Sequence, residues 1–176
     1  GNGPLTDQTG TNFMYCEASG SSSGDIAYLT SPLIDVSSLT APALYFDQHR
    51  NANNGNIADL NVEVSNDFGA TWTNVYTITG QVQTSSSAPW SSEFVNLPIF
   101  VGDTIAVRFV QTGNGCCGDA AIDNVEIKEA PTCPDPGNLN AISVSDTTAT
   151  FTWLGSLTSI YNEAWWGPTG FFQGTG

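Results

Sequence analysis

The sequence predicts an all-β chain: an antiparallel two-sheet jelly-roll sandwich followed by a second, incomplete β-unit. Three observations carry this. Apolar residues alternate with polar ones at period two, as in Leu60, Val62 and Val64 set against Asn61, Glu63 and Ser65. Clusters of Gly, Asn, Asp and Ser separate these runs at short intervals, at 19–24, 51–56, 66–69 and 112–118. Amphipathic periodicity of helical type is almost absent, and no fixed internal period marks a solenoid.

Strands are expected over 13–17, 26–33, 43–49, 60–65, 71–78, 90–97, 105–109 and 120–127, a set that suits a sandwich. Residues 129–137 break the pattern, because three prolines within six residues cannot run through a sheet. The predicted organisation is a jelly-roll domain over 1–130, a Pro-rich linker over 131–136 and a partial domain over 137–176. The last part offers strands at 139–144, 149–153 and 160–166, too few to close a sandwich alone. Both ends of the chain are expected to be cut from a longer polypeptide, with any signal peptide removed or upstream.

The chain has 176 residues with 17 acidic and 3 basic side chains, a net charge of -14. That field repels nucleic acid and anionic membrane, so neither is an expected partner. Disorder is opposed by five tryptophans and a 40% hydrophobic content, enough to pack a core. No apolar run approaches the roughly 18 residues of a membrane span. Cys16, Cys116, Cys117 and Cys133 form an even set without CxxC spacing, which points to an oxidising compartment and not to zinc. Adjacent cysteines bond each other only through a strained ring, so one of Cys116 and Cys117 is expected to pair with Cys16 or Cys133.

The segment 118–127 carries a carboxylate among apolar positions. Period-two counting puts Asp123 on one face with Ala121, Val125 and Ile127, toward the core. An ionised carboxylate there needs a cation or several donors, and only three basic residues exist. Asp119 and Asp123 lie about 13 Å apart at strand rise, so Asp123 is the better ligand, with Glu17 as its partner on a face shared with Phe13 and Tyr15, both expected in the core. The alternative is that Asp123 accepts backbone or Asn/Thr donors while Glu17 is exposed.

Residues 65–72, Ser-Asn-Asp-Phe-Gly-Ala-Thr-Trp, fit an Asp-box, which predicts a hairpin turn built on Asp67, Gly69 and Trp72. No paired carboxylates are marked as a glycosidase cleft. His49 is the sole histidine, and Asp47 is too near in sequence to orient it for a triad, so a surface strand-end position is expected. Trp90, Trp153, Trp165, Trp166, Tyr28 and Tyr76 could stack on sugars, although most are expected in the core. Trp165 and Trp166 face opposite ways if they lie on a strand.

Several residues together resemble the MAM domain as found in surface and secreted proteins of the Bacteroidetes. They are Gly3-Pro4, Asp7-Gln8-Thr9, Tyr15, Ala27 to Pro32, Leu44-Tyr45-Phe46, Leu60 with Val62 and Val64, Trp72, Arg108-Phe109 and Gly118 to Asp123. Beyond Pro131, Cys133-Pro134-Asp135-Pro136, Leu139, Trp153 and Trp166 to Phe171 resemble the opening of a fibronectin type III domain, an immunoglobulin-like sandwich. The chain departs from the family at Gln8, where His is frequent. The resemblance implies a non-catalytic adhesion or recognition module, often with a cation site, and places Asp7, Glu17, Asp119 and Asp123 at a structural Ca²⁺. It also implies a secreted or cell-surface protein with an extracellular glycan or protein ligand, exported by type IX secretion machinery. The rival expectation is a carbohydrate-binding or accessory domain of a secreted glycosidase or peptidase. A third is a passive spacer.

Overall fold

The computed structural model describes residues 2–52, 54–115, 117–131, 137–145 and 148–154. The chain divides into two units, Gly1–Ala130 and Pro131–Gly176. The second is described as one antiparallel hairpin, Gly137–Val144 paired with Ala149–Leu154. The expected strand at 160–166, Trp165, Trp166, Cys116 and Cys133 lie outside the described residues, as does the side chain of Trp153.

The first unit is an all-β, two-sheet antiparallel jelly-roll sandwich. Its strands are β1 Met14–Cys16, β2 Ser23–Thr30, β3 Ile34–Asp35, β4 Pro42–Ala52, β5 Leu60–Ser65, β6 Thr73–Ile78, β7 Ser91–Asn96, β8 Thr104–Asn114 and β9 Gly118–Glu129. One sheet runs β1-β9-β4-β7; the other runs β2-β8-β5-β6, with β3 also paired to β8. The alternating residues meet between the sheets. Leu44, Phe46, Val95 and Ile122 pack on Leu60, Val62, Val64, Ile78, Ile105, Val107 and Phe109. Phe46 and Phe109 touch edge to face, with ring centroids 5.0 Å apart. Each such buried side chain contributes about 1.5–3 kcal/mol.

The two lateral edges of the sandwich close differently. At the β6/β7 edge, Tyr76 donates its hydroxyl to Glu93 at 2.7 Å, and Gln48 donates to the other oxygen of Glu93 at 3.1 Å. Burial, with the Glu93 carboxylate, pushes the Tyr76 pKa up to about 12. At the β1/β2 edge a gap of about 170 Å³ remains, lined by Met14, Cys16, Leu29, Phe109 and Ile122 among others.

The Asp-box forms. Asp67 accepts from Ser65 Oγ (2.7 Å), Thr71 N (2.9 Å) and Thr71 Oγ1 (2.6 Å), and Gly69 adopts φ +87°, the left-handed region that glycine supplies. Those donors hold the Asp67 carboxyl down to about 2. Trp72 donates to Gly69 O and lies 4.2 Å from the Arg108 guanidinium, which also stacks on Tyr28 and pairs with Glu63 at 2.6 Å.

Three expectations need correction, and one of the cysteine alternatives drops out. Asp123 does not face the core: β4 and β9 shift register between Tyr45/Glu126 and Asp47/Asp123, and Asn124 takes φ +51°. This bulge inserts one residue and reverses the face on which each later side chain lies. Ile122 and Ile127 therefore both reach the core, while Val125 is 47% exposed. His49 is not at the surface but fully buried, because other chain segments cover the outer face of β4. Phe13 and Tyr15 are not inter-sheet residues. They pack with Trp90 on the outside of the β1-β9-β4-β7 sheet, and Tyr15 is 41% exposed. Cys16 carries no disulfide; its thiol lines the gap beside β2. Cys117 is disulfide-bonded.

Candidate functional site

Two aspartates on β9 clamp the N-terminal segment across the outside of the sheet. Asp119 holds its start, accepting from the Asn2 amide N at 2.5 Å. Asp123 holds its end, with one oxygen accepting from Gln8 N (3.0 Å) and Thr9 N (3.2 Å) and the other from Asn124 N (2.7 Å). The i, i+4 spacing that separates these acids by about 13 Å lets them grip both ends of one short segment. Asn51 adds a bond from its side chain to Asn2 O at 3.0 Å, and the Asn2 side chain donates to Cys117 O. Gly3 lies directly against the Tyr15 ring, where a Cβ would collide.

Asp119 is 1% exposed and also accepts from Ala18 N at 2.9 Å and from the Tyr15 hydroxyl at 2.7 Å. Tyr15 is shared: its hydroxyl lies 3.0 Å from Glu17, whose other oxygen accepts from Ser19 N. Burial raises the Asp119 carboxyl, but Ala18, Tyr15, Asn2 and Glu17 together outweigh it and hold the group below the usual carboxylate range. Burial, followed by the two carboxylates, pushes the Tyr15 hydroxyl far above its ordinary value. The Cys16 thiol is raised too, by burial and then by Asp119 and Glu17, so it is a poor nucleophile.

Of the four residues expected to bind a cation, the structure joins Glu17 and Asp119 through Tyr15. No group of three or more His, Cys, Asp or Glu that could hold a metal ion is present among the described residues. Asp119 and Asp123 are already met by amide donors. Asp7 differs, since its Oδ2 is buried without a hydrogen-bond partner. An oxygen left this way fits a cation better than the amide-capped carboxylates do.

Asp7 lines a cleft of about 330 Å³ between residues 4–8 and residues 86–90. Trp90 forms one wall, held at 5.5 Å by Phe13 and 5.7 Å by His49, both edge to face, and by its indole N–H on Thr6 O at 3.2 Å. Burial lowers the His49 pKa, partly offset by the backbone of Ser85 and Ala88, and neither ring nitrogen makes a hydrogen bond of normal geometry. The sequence named Trp90 only as one aromatic among several. Asn2 and Tyr15 as anchors of Asp119 carried no local signal, since their partner is more than 100 residues away.

Fold and site define a jelly-roll sandwich completed by an acid-clamped N-terminal segment. The chain belongs to the MAM domain family (meprin/A5/mu), which matches residues 1–134. Among solved structures it is similar to the K1 cleaved adhesin domain of Lys-gingipain from Porphyromonas gingivalis W83. The identity is 19% and the TM-score 0.54, covering 73% of this chain and 82% of that one. A CBM4 structure aligns at 13% identity and TM-score 0.38, over 62% and 79% of the two chains. A family 35 carbohydrate-binding module from an environmental isolate gives 23% identity and TM-score 0.38, over 76% and 91%. No curated protein matches the sequence. No helix among the described residues is long and apolar enough to cross a membrane.

Proposed function

We propose that this chain is a non-catalytic adhesion or recognition module of a larger secreted or cell-surface bacterial protein. The observation that carries the reading is the family match across 1–134, on a scaffold whose Asp119 and Asp123 are occupied in fastening the N-terminal segment. The adhesin fold of Lys-gingipain supports it. The unit from Pro131 onward is read as the start of a fibronectin type III domain, and export through type IX secretion belongs to the same proposal. Beads carrying the 176-residue chain are expected to be retained on surfaces bearing extracellular glycans or proteins. Beads carrying an unrelated sandwich of similar net charge are the control, and equal retention would leave only a spacer.

A structural Ca²⁺ is part of this reading, held by Asp7 or by the Glu17–Asp119 pair with further oxygens from backbone and water. Adding Ca²⁺ to chelator-treated protein is then expected to raise the melting temperature by several degrees, through preferential binding to the folded state. An identical melt in Ca²⁺ and in chelator removes the ion from the proposal.

A further inference from the structure

We infer that the cleft between residues 4–8 and 86–90 is a binding site for a neutral saccharide, an inference that rests on the recognition reading and names its ligand class. Its volume of about 330 Å³ falls in the range of small-molecule sites, roughly 300–1,000 Å³. The walls are joined before any ligand arrives: Leu5 N donates to Ser86 O at 3.0 Å, and the Trp90 indole donates to Thr6 O. Trp90 is further fixed by Phe13 and His49, so its ring is presented in one orientation. A rigid aromatic wall lowers the ordering cost of binding.

The polar groups around Trp90 choose among ligand classes. Asp7, Gln8, Thr6, Ser86 and Ser87 supply a carboxylate, an amide and hydroxyls. None of the three basic residues of the chain, Arg50, Arg108 and Lys128, lines the cleft, so nothing there would compensate a phosphate, sulfate or uronate. A sugar ring offers a C–H face for the indole and hydroxyls that both donate and accept, which uses the amide and serines as well as the carboxylate. An alkylammonium would satisfy Asp7 and Trp90 but leave Gln8, Ser86 and Ser87 unused. The cleft lies on the outside of the β1-β9-β4-β7 sheet, apart from the Tyr28–Arg108–Trp72 stack on the other sheet.

The test is a titration of the ¹⁵N-labelled 176-residue chain with methyl glycosides of glucose, galactose, mannose, fucose and N-acetylglucosamine, with Nα-acetyl-lysine amide as a further ligand. At least one glycoside is expected to shift the Trp90 indole N–H and the amides of Gln8, Ser86 and Ser87, with Kd on the order of 1 mM. Trp90→Ala should weaken that binding about tenfold or more. If that variant does not fold, the Gln8→Ala/Ser87→Ala double variant, altered only at exposed side chains, should weaken it several-fold. The inference is overturned if no glycoside moves these signals, if shifts cluster at Tyr28 and Arg108, if the variants bind unchanged, or if only the lysine amide binds. A chain that is still retained on protein-bearing surfaces while every glycoside leaves the cleft unmoved keeps the recognition reading and loses this one.

Discussion

Replacing Arg50 with alanine is expected to destabilise the first unit by about 3–5 kcal/mol, measured by urea denaturation. Arg50 is fully buried on β4 and forms no ion pair with a carboxylate among the described residues. Its guanidinium instead donates to backbone carbonyls, Ile78 O at 2.6 Å and Ala58 O, which lie at the end of β6 and just before β5. Its own backbone joins a third segment, donating to Gln83 Oε1 and accepting from Val82 N and Gln83 N. Burial lowers its pKa to about 10, with the Asp59 charge acting in the opposite direction. Removing the side chain leaves a cavity, takes the guanidinium donor from Ile78 O and leaves Ala58 O with the Gln111 side-chain amide alone, a lost buried bond being worth roughly 1–3 kcal/mol. Arg50→Met should cost less, because it keeps the volume and removes the buried charge. A loss below about 1 kcal/mol for the alanine variant would show that water reaches those carbonyls, contrary to the packing described.

Asp119→Ala is expected to cost about 2–4 kcal/mol, since it strands the amides of Asn2 and Ala18 and leaves the Tyr15 hydroxyl with Glu17 alone. The effect should depend on pH with a definite sign. The folded-state carboxyl sits below the unfolded value of about 3.9, so its stabilisation is complete above that value and is lost as pH falls through the lower, folded pKa. Melting temperatures of the parent and of Asp119→Asn, recorded from neutral to strongly acidic pH, should therefore converge only below about pH 4. A constant gap down to the lowest pH would mean that folding does not shift the Asp119 pKa. Asp123→Ala, whose partners Gln8 and Thr9 are exposed, should cost less.

The sandwich was legible where one strand decides its own faces. Leu60, Val62 and Val64, and Ile105, Val107 and Phe109, alternate in the sequence and alternate in the core. The Asp-box was legible for the same reason, because Ser65, Asp67, Gly69, Thr71 and Trp72 satisfy one another locally. Asp123 was misplaced because period-two counting assumes an unbroken strand, and one bulge reverses it. The signal present was Asn124, a residue type that tolerates the left-handed region. His49 and Cys16 depended on distant segments that no local pattern encodes. At the candidate site, Asp119 and Glu17 are joined by the fold and not by spacing, and Asp7 was implied only by the family resemblance.

The unequal closure of the two lateral edges sets the order in which the sandwich breathes. Amides of the three-residue β1 and of solvent-facing β2 should exchange with deuterium through small local fluctuations, whereas β4, paired on both sides, should exchange only on global unfolding. Since β1 leads into Glu17 and Ala18 beside Asp119, the same fluctuation would loosen the grip on Asn2. The N-terminal strap and the short strand beneath it are thus expected to open as one cooperative foldon, the first part of the sandwich that a protease or a stretching force would meet in an opened state.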